Sequence, residues 1–240
     1  NTTDELSYNN LQSNVINFIF DQIFPVLPSV ELSSDNNTGI SYNNVSYAKG
    51  GSDIYINIGA NEDISFNNLD FCQPSLGLTW SLNHTGYNKD YIITSTVNSS
   101  APANYNLDGS NVMLNITHYV DKALNEGSDV TDTTNNSSVI IYTKDPSINY
   151  VDISSNNPSQ PSRACFDETV TVDFFSDHDL RDIPGMVSFD ISNDPVASDR
   201  IYTRMIDPYR NKWRSSFVVI DGEYGDVSFN IQNVEDLAGN

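Results

Sequence analysis

The sequence predicts an all-β chain built from two tandem β-sandwich repeats, and three observations predict it. Asn, Ser, Thr and Asp dominate the polar residues and favour turns and strand edges over helix interiors. Hydrophobic residues make up 38% of the 240 residues and aromatics 11%, with Tyr and Phe supplying much of both. Short alternating apolar runs recur between turn signals, the pattern of half-buried strands. The chain also repeats itself. Val227–Asn240 reads V-S-F-N-I-Q-N-V-E-D-L-A-G-N, and Val112–Asn125 reads V-M-L-N-I-T-H-Y-V-D-K-A-L-N. Without a gap they agree at Val112/Val227, Asn115/Asn230, Ile116/Ile231, Asp121/Asp236, Ala123/Ala238 and Asn125/Asn240. Composition alone would give roughly one or two agreements, so this is an internal repeat.

In chain order, Asn1–Asn14 is polar and turn-like, and Val15–Phe20 (V-I-N-F-I-F) is an apolar β-branched and aromatic run with strand character. Leu11–Phe20 is the sole window with any helical periodicity, and it also reads as a strand. Asp21–Pro28 is a linker stiffened by Pro25 and Pro28. The first repeat then offers strands at Ser29–Ser34, Ser52–Ile58, Leu69–Cys72, Leu78–Leu82, Tyr91–Val97, Val112–Ile116 and Val139–Tyr142, with a turn at Asn61–Asp63. Asp145–Pro146 is a second linker. The second repeat restarts at Tyr150–Asn157, which matches Ser29–Asn36, and Ala164–Phe174 and Ser176–Leu180 match Ala48–Ile58 and Ala60–Ile64. Met186–Ile191, Ile201–Met205, Phe217–Ile220 and Val227–Ile231 supply its later strands. About seven short strands per repeat is the signature of an immunoglobulin-like β-sandwich. The expected division is an extension at 1–24, an immunoglobulin-like domain at 25–145 and a second at 146–240.

In the first repeat Asn125 is followed by the strand Val139–Tyr142 and then the linker; the second repeat reaches Asn240 without such a strand. The opening of the chain has the missing order: polar turn, Val15–Phe20, Pro linker. Two readings follow. The chain is a segment of a longer array, or Val15, Ile16, Phe18, Ile19 and Phe20 form a strand donated to the next subunit at a free sheet edge.

The second repeat resembles the immunoglobulin-like repeats of large bacterial-type surface adhesins and biofilm proteins. The resemblance rests on V-D-I-S-S-N-N at Val151–Asn157, D-E-T-V-T-V-D-F at Asp167–Phe174, W-R-S-S-F-V-V at Trp213–Val219, and G-D-V-S-F-N-I followed by D-L-A-G-N. It implies an extracellular, elongated, non-catalytic array whose domains act as spacers, adhesion units or filament subunits, with calcium at the joints.

The net charge of −21 repels nucleic acid and anionic membranes and suits divalent cations or a strongly solvated exterior. All six Arg lie at or after Arg163. No transmembrane run or secretory h-region occurs. Sequons at Asn1, Asn36, Asn44, Asn83, Asn98, Asn115, Asn135 and Asn136 all precede Asp145 and point to a secreted, glycosylated protein. Cys72 and Cys165 fall at non-equivalent positions of the two repeats, which leaves free thiols, an interdomain bridge and an intersubunit bridge open.

The sequence holds no phosphate loop, Ser-His-Asp set or zinc spacing. Ser176-Asp177-His178-Asp179 is a tight acid–His cluster, read as an exposed inter-strand turn. Asp121 and Asp236 are read as acceptors within their own turns. Asp21, Asp35, Asp145 and Asp152, with Glu31, are the candidate calcium ligands at the joints, since hard cations take oxygen ligands. Tyr202, Arg204, Tyr209, Arg210, Lys212, Trp213 and Arg214 form a basic–aromatic stretch, read as an interface within the assembly or as a glycan or receptor platform. The function expected is a non-enzymatic structural repeat of an extracellular array or filament, self-associating end to end; the alternative is a glycan- or receptor-binding adhesin module.

Overall fold

A computed structural model describes residues 20–36, 43–66, 78–98, 107–206 and 211–240. The first half runs through β1 (Ser29–Ser34), β2 (Val45–Ala48), β3 (Asp53–Phe66), β4 (Ser81–Leu82), β5 (Asn88–Thr96), β6 (Ser110–Asn111), β7 (Tyr119–Asp121) and β8 (Ser138–Ile141). The second half follows with β9 (Ile148–Ser155), β10 (Thr169–Ser176), β11 (Val187–Ile191), β12 (Asp194–Pro195), β13 (Tyr202–Met205), β14 (Lys212–Val218) and β15 (Val227–Ile231). The chain is all-β; among the described residues the helical content is one 3₁₀ turn at Ser198–Arg200.

Each half places two sheets around its own apolar cluster, the arrangement of a β-sandwich. In the first half one sheet runs β1-β3-β5-β4, with β7 also on β3, and the other runs β2-β8-β6. In the second half the sheets run β13-β14-β10-β9 and β12-β11-β15. The cause is alternation: Val170, Val172 and Phe174 of β10 turn inward while Thr171 and Asp173 turn out. Each such buried side chain contributes roughly 1.5–3 kcal/mol.

The repeat seen in the sequence is repeated in the hydrogen bonds. Val30 faces Ile58 and Leu32 faces Ile56 in the first half; Val151 faces Phe174 and Ile153 faces Val172 in the second. The Asp53 N–H donates to Asp35 Oδ1 at 2.7 Å, and the Thr169 N–H to Asn156 Oδ1 at 2.8 Å. The Gly51 N–H donates to the Val97 carbonyl at 2.8 Å, and the Asp167 N–H to that of Val219 at 2.9 Å. Gly51 and Asp167 both have positive φ, 89° and 65°. One chain path is drawn twice.

Three expectations change. Asn61–Asp63 is not a turn: β3 runs through it to Phe66, and the irregularity is absorbed by a register shift against β5 between Gly59 and Ile64. Val112–Ile116 is not a continuous strand; β6 lies just before it, and Ile116 pairs with Val130 as an isolated bridge. The strand expected at Phe217–Ile220 begins five residues earlier in β14, because Trp213, Ser215 and Phe217 alternate inward along K-W-R-S-S-F-V. Leu69–Cys72 and Val15–Ile19 lie outside the described residues.

Candidate functional site

The two halves differ most plainly at one side, which is open in the second sandwich. In the first half β8 lies parallel to β2, with Ala48 opposite Ile141, and antiparallel to β6. The Gly109 N–H donates to the Ile141 carbonyl and the Val112 N–H to that of Val139. Thr134, upstream of β8, donates its N–H to the Val30 carbonyl at 2.9 Å and accepts the Val30 N–H on Oγ1 at 3.1 Å. This cover leaves Val30 at 0%, Leu32 at 5% and Leu107 at 3% exposure.

Their counterparts are uncovered. Val151 and Ile153 are each 39% exposed, although their register on β10 turns them toward the core. The turn Ile220-Asp221-Gly222-Glu223 repeats Leu107-Asp108-Gly109-Ser110, with positive φ at Gly222 and Gly109, yet Ile220 is 47% exposed. Beside Ile153 lies an open cavity of about 750 Å³ whose lining mixes apolar Pro161, Ala164, Val219 and Val227 with polar Ser155, Arg163 and Glu223. β15 edges its sheet. Asp226 and Gln232 bond toward β11, so strand alternation turns the backbone groups of Val227, Phe229 and Ile231 toward the open side. Among the described residues no strand pairs with that edge.

The joint between the halves is closely built. Asn240 Nδ2 donates to the Tyr142 carbonyl at 3.0 Å and Lys49 Nζ to that of Gly239 at 3.0 Å. Tyr47, Tyr142, Leu237 and Ala238 form a small apolar cluster of their own. His178, expected in an exposed turn, is 4% exposed here: its ring stacks on Tyr142 at 4.3 Å. Its Nδ1 lies 3.1 Å from Asp236 Oδ2 and its Nε2 3.3 Å from Asp108 Oδ2. The segment does bend after β10 and Asp177 is exposed, but the expected exposure fails at His178 because Leu180 pairs with Asp236, which folds the segment under the last turn of the chain. Asp108 also accepts the Thr143 N–H at 2.8 Å. Desolvation pushes the Asp108 carboxyl up, but the Thr143 N–H, His178 and Lys144 outweigh it and hold its pKa below the ordinary value. Burial, then Asp179, push the Tyr142 phenol up to about 12.

The equivalent end of the first half carries carboxylates instead. Ile64 pairs with Asp121 as Leu180 pairs with Asp236, so Glu62 takes the place of His178. One carboxylate oxygen each from Asp21, Glu62 and Asp121 lies within 4.8 Å of the others. Desolvation, then Asp21 and Asp121, raise the Glu62 pKa. Oxygen-only donors at this spacing suit a hard divalent cation. Of the four aspartates expected as calcium ligands, Asp21 belongs to this cluster. Asp35 accepts the Asp53 N–H, Asp152 faces Asp173 across β9 and β10, and Asp145 is exposed in the linker. Asp121 and Asp236 do hold their turns: Asp121 Oδ1 accepts the Ala123 N–H at 2.7 Å, and Asp236 Oδ1 the Asn240 N–H at 3.0 Å.

Of the described residues in the basic–aromatic stretch, Tyr202, Arg204, Lys212 and Arg214 share the outer face of their sheet, with Arg204 opposite Arg214, and only Trp213 turns inward. Trp213 is 1% exposed in the core, and Arg214 forks onto Asp173 with two 2.7 Å bonds. Lys212 lies over the Phe175 ring at 5.4 Å. Tyr202 and Arg204 are exposed, and Tyr209 and Arg210 fall outside the described residues. Asn44, Asn83, Asn98, Asn115, Asn135 and Asn136 are exposed, whereas Asn36 is half-buried and donates Nδ2 to the Ala238 carbonyl at 2.7 Å. Cys165 is an exposed free thiol, and Cys72 lies outside the described residues. No described helix is long and apolar enough to cross a membrane. Comparison with models of known protein families and with curated proteins finds no match.

Proposed function

We propose that this is a non-enzymatic extracellular structural protein, related to immunoglobulin-like surface repeats, whose copies join end to end. The open side of the second sandwich receives the Val15–Phe20 strand of another copy. The observation that carries this reading is the loss of cover: Val151 and Ile153 are 39% exposed where Val30 and Leu32 are 0% and 5%. An unpaired strand edge beside exposed apolar side chains is a template for an added strand. The occupant is available in the same molecule, since Phe20 precedes the first linker and is 83% exposed while its counterpart Ile141 is fully buried. A contact between two different surfaces of one molecule does not close on itself and generates a filament. The alternative, a glycan or receptor platform at Tyr202–Arg214, loses its central aromatic to the core, since Trp213 is 1% exposed.

The test compares the full chain with a variant lacking residues 1–20, by sedimentation and electron microscopy. The full chain is expected to form filaments. The truncated chain is expected to stay monomeric and folded, and to melt higher when a peptide spanning residues 10–21 is added. If both are monomers with one melting temperature and the peptide has no effect, the reading fails.

A further inference from the structure

The repeat geometry carries more than the presence of a donated strand; it sets the register. We infer, resting on the end-to-end reading above, that the contact between copies repeats the contact between the halves at a fixed offset of 121 residues. Phe18 then stands where Val139 stands, Phe20 where Ile141 stands, and Asp21 where Tyr142 stands.

The anchor for this register is present in the single chain. Asn240 Nδ2 holds the Tyr142 carbonyl, and Asn125 Nδ2, its repeat counterpart, lies 3.3 Å from the carbonyls of both Asp21 and Ile23. A second pair of bonds continues the match: the Ser147 N–H donates to Asp177 Oδ1 at 2.7 Å, and the Val26 N–H to Asn61 Oδ1 at 2.9 Å. Each linker is therefore gripped at the same residue by the same turn. Just before the second linker the chain lies in the first sandwich as β8. Just before the first linker it is Phe20, which is 83% exposed.

The sequences agree at this offset without a gap. Ser13, Asn14, Ile19 and Pro25 stand against Thr134, Asn135, Ile140 and Pro146. Ser13 keeps the hydroxyl through which Thr134 caps Val30, and would meet the Val151 N–H. The alternation agrees too. Val139 and Ile141 point inward and are fully buried, so Phe18 and Phe20 enter the cavity beside Ile153 and Val227. Val139 accepts the Val112 N–H; Phe18 accepts the Val227 N–H, which strand alternation turns to the open side. On the other flank β2 runs parallel to β8, and the Tyr142 N–H donates to the Ala48 carbonyl at 2.9 Å. Ala48 corresponds to Ala164, and Lys49 to Cys165: the Ser52 N–H donates to the Lys49 carbonyl at 3.0 Å and the Glu168 N–H to the Cys165 carbonyl at 3.1 Å. Asp21 of one copy thus lies beside Cys165 of the next, on the outer face, within the separation a disulfide spans.

Cys165 is exposed and free, which makes it a built-in probe. The experiment places Asp21→Cys in a Cys72→Ser background, oxidises the assembled protein and resolves it without reductant. Ile16→Cys and Ile23→Cys in the same background serve as displaced controls, and circular dichroism checks that each variant folds. The expected result is a ladder of disulfide-linked multimers for Asp21→Cys, lost on adding Cys165→Ser, with at least tenfold less cross-linking for the controls. Filaments that form while a displaced cysteine links and Asp21→Cys does not would overturn the register and leave the end-to-end reading intact. If the unsubstituted chain forms no filament and no variant links, the end-to-end reading falls and the register with it.

Discussion

At the scale of single residues, close approaches and paired carboxylates decide stability. A Cβ on Gly127 would sit 2.0 Å from the Tyr119 ring, which is 1% exposed and bonded through its hydroxyl to the Ser128 carbonyl at 2.9 Å. The ring has nowhere to move, so Gly127→Ala is expected to cost about 1–3 kcal/mol by overpacking, measured by denaturant unfolding. Trp213→Ala removes the largest fully buried side chain and is expected to cost about 3–5 kcal/mol, with no separate effect on any ligand. Asp108 sets an acid limit. Its folded pKa is depressed below an unfolded value of about 3.9, so its contribution is present above that value and lost as pH falls through the folded one. Asp108→Asn is expected to cost about 1.5–3 kcal/mol at pH 7, the worth of a hydrogen bond to a charged group, and the difference is expected to shrink in unfolding titrations as pH falls through the folded pKa.

At the scale of elements, the strands were legible where the alternation is clean and illegible where the partner sets the outcome. β1, β5, β8, β11 and β15 follow V-E-L-S, Y-I-I-T-S-T, V-I-I, V-S-F-D-I and V-S-F-N-I closely. Asn61-Glu62-Asp63 has the composition of a turn, yet it stays extended because β7 pairs with Ile64, Ser65 and Phe66 just beyond it. The same pairing brings Glu62 to Asp121. No local pattern announces that cluster, since Asp21, Glu62 and Asp121 come from a linker, a strand and a turn. The two ends therefore differ in charge: a His stands between carboxylates at one, and three carboxylates meet at the other, with Lys89 acting on Glu62. Calcium is expected to raise the melting temperature, by an amount corresponding to about 2.7 kcal/mol at a hundredfold excess over the dissociation constant. Glu62→Gln is expected to abolish most of that rise without disturbing the Asp121 turn; an equal rise in both proteins would place calcium elsewhere.

At the scale of the whole molecule, assembly is the property to measure. In the proposed assembly the donated strand would bury two phenyl groups, each worth roughly 1.5–3 kcal/mol. Ile153→Asp sets an unpaired charge in the receiving cavity and is expected to stop filament growth while leaving the first half intact. Sedimentation reads the first effect, and unchanged near-ultraviolet dichroism of the first-half tyrosines reads the second. The net charge of −21 opposes association at low ionic strength, so filament yield is expected to rise with salt.

By itself the sequence determined that the chain is all-β, that it repeats and that Asp121 and Asp236 close matching turns. These follow from short-range physics: side-chain alternation, turn chemistry and the Asx bond act within a few residues and leave a local trace. The tertiary structure decided that His178 is buried between Asp108 and Asp236, that Trp213 serves the core, and that Val151 and Ile153 are each 39% exposed. The first two outcomes depend on pairings between distant residues, such as Asp108 with His178 and Leu180 with Asp236, which no local pattern records; the exposure of Val151 and Ile153 lies where the repeat comparison already set the second half apart, and the structure added which side chains are left open.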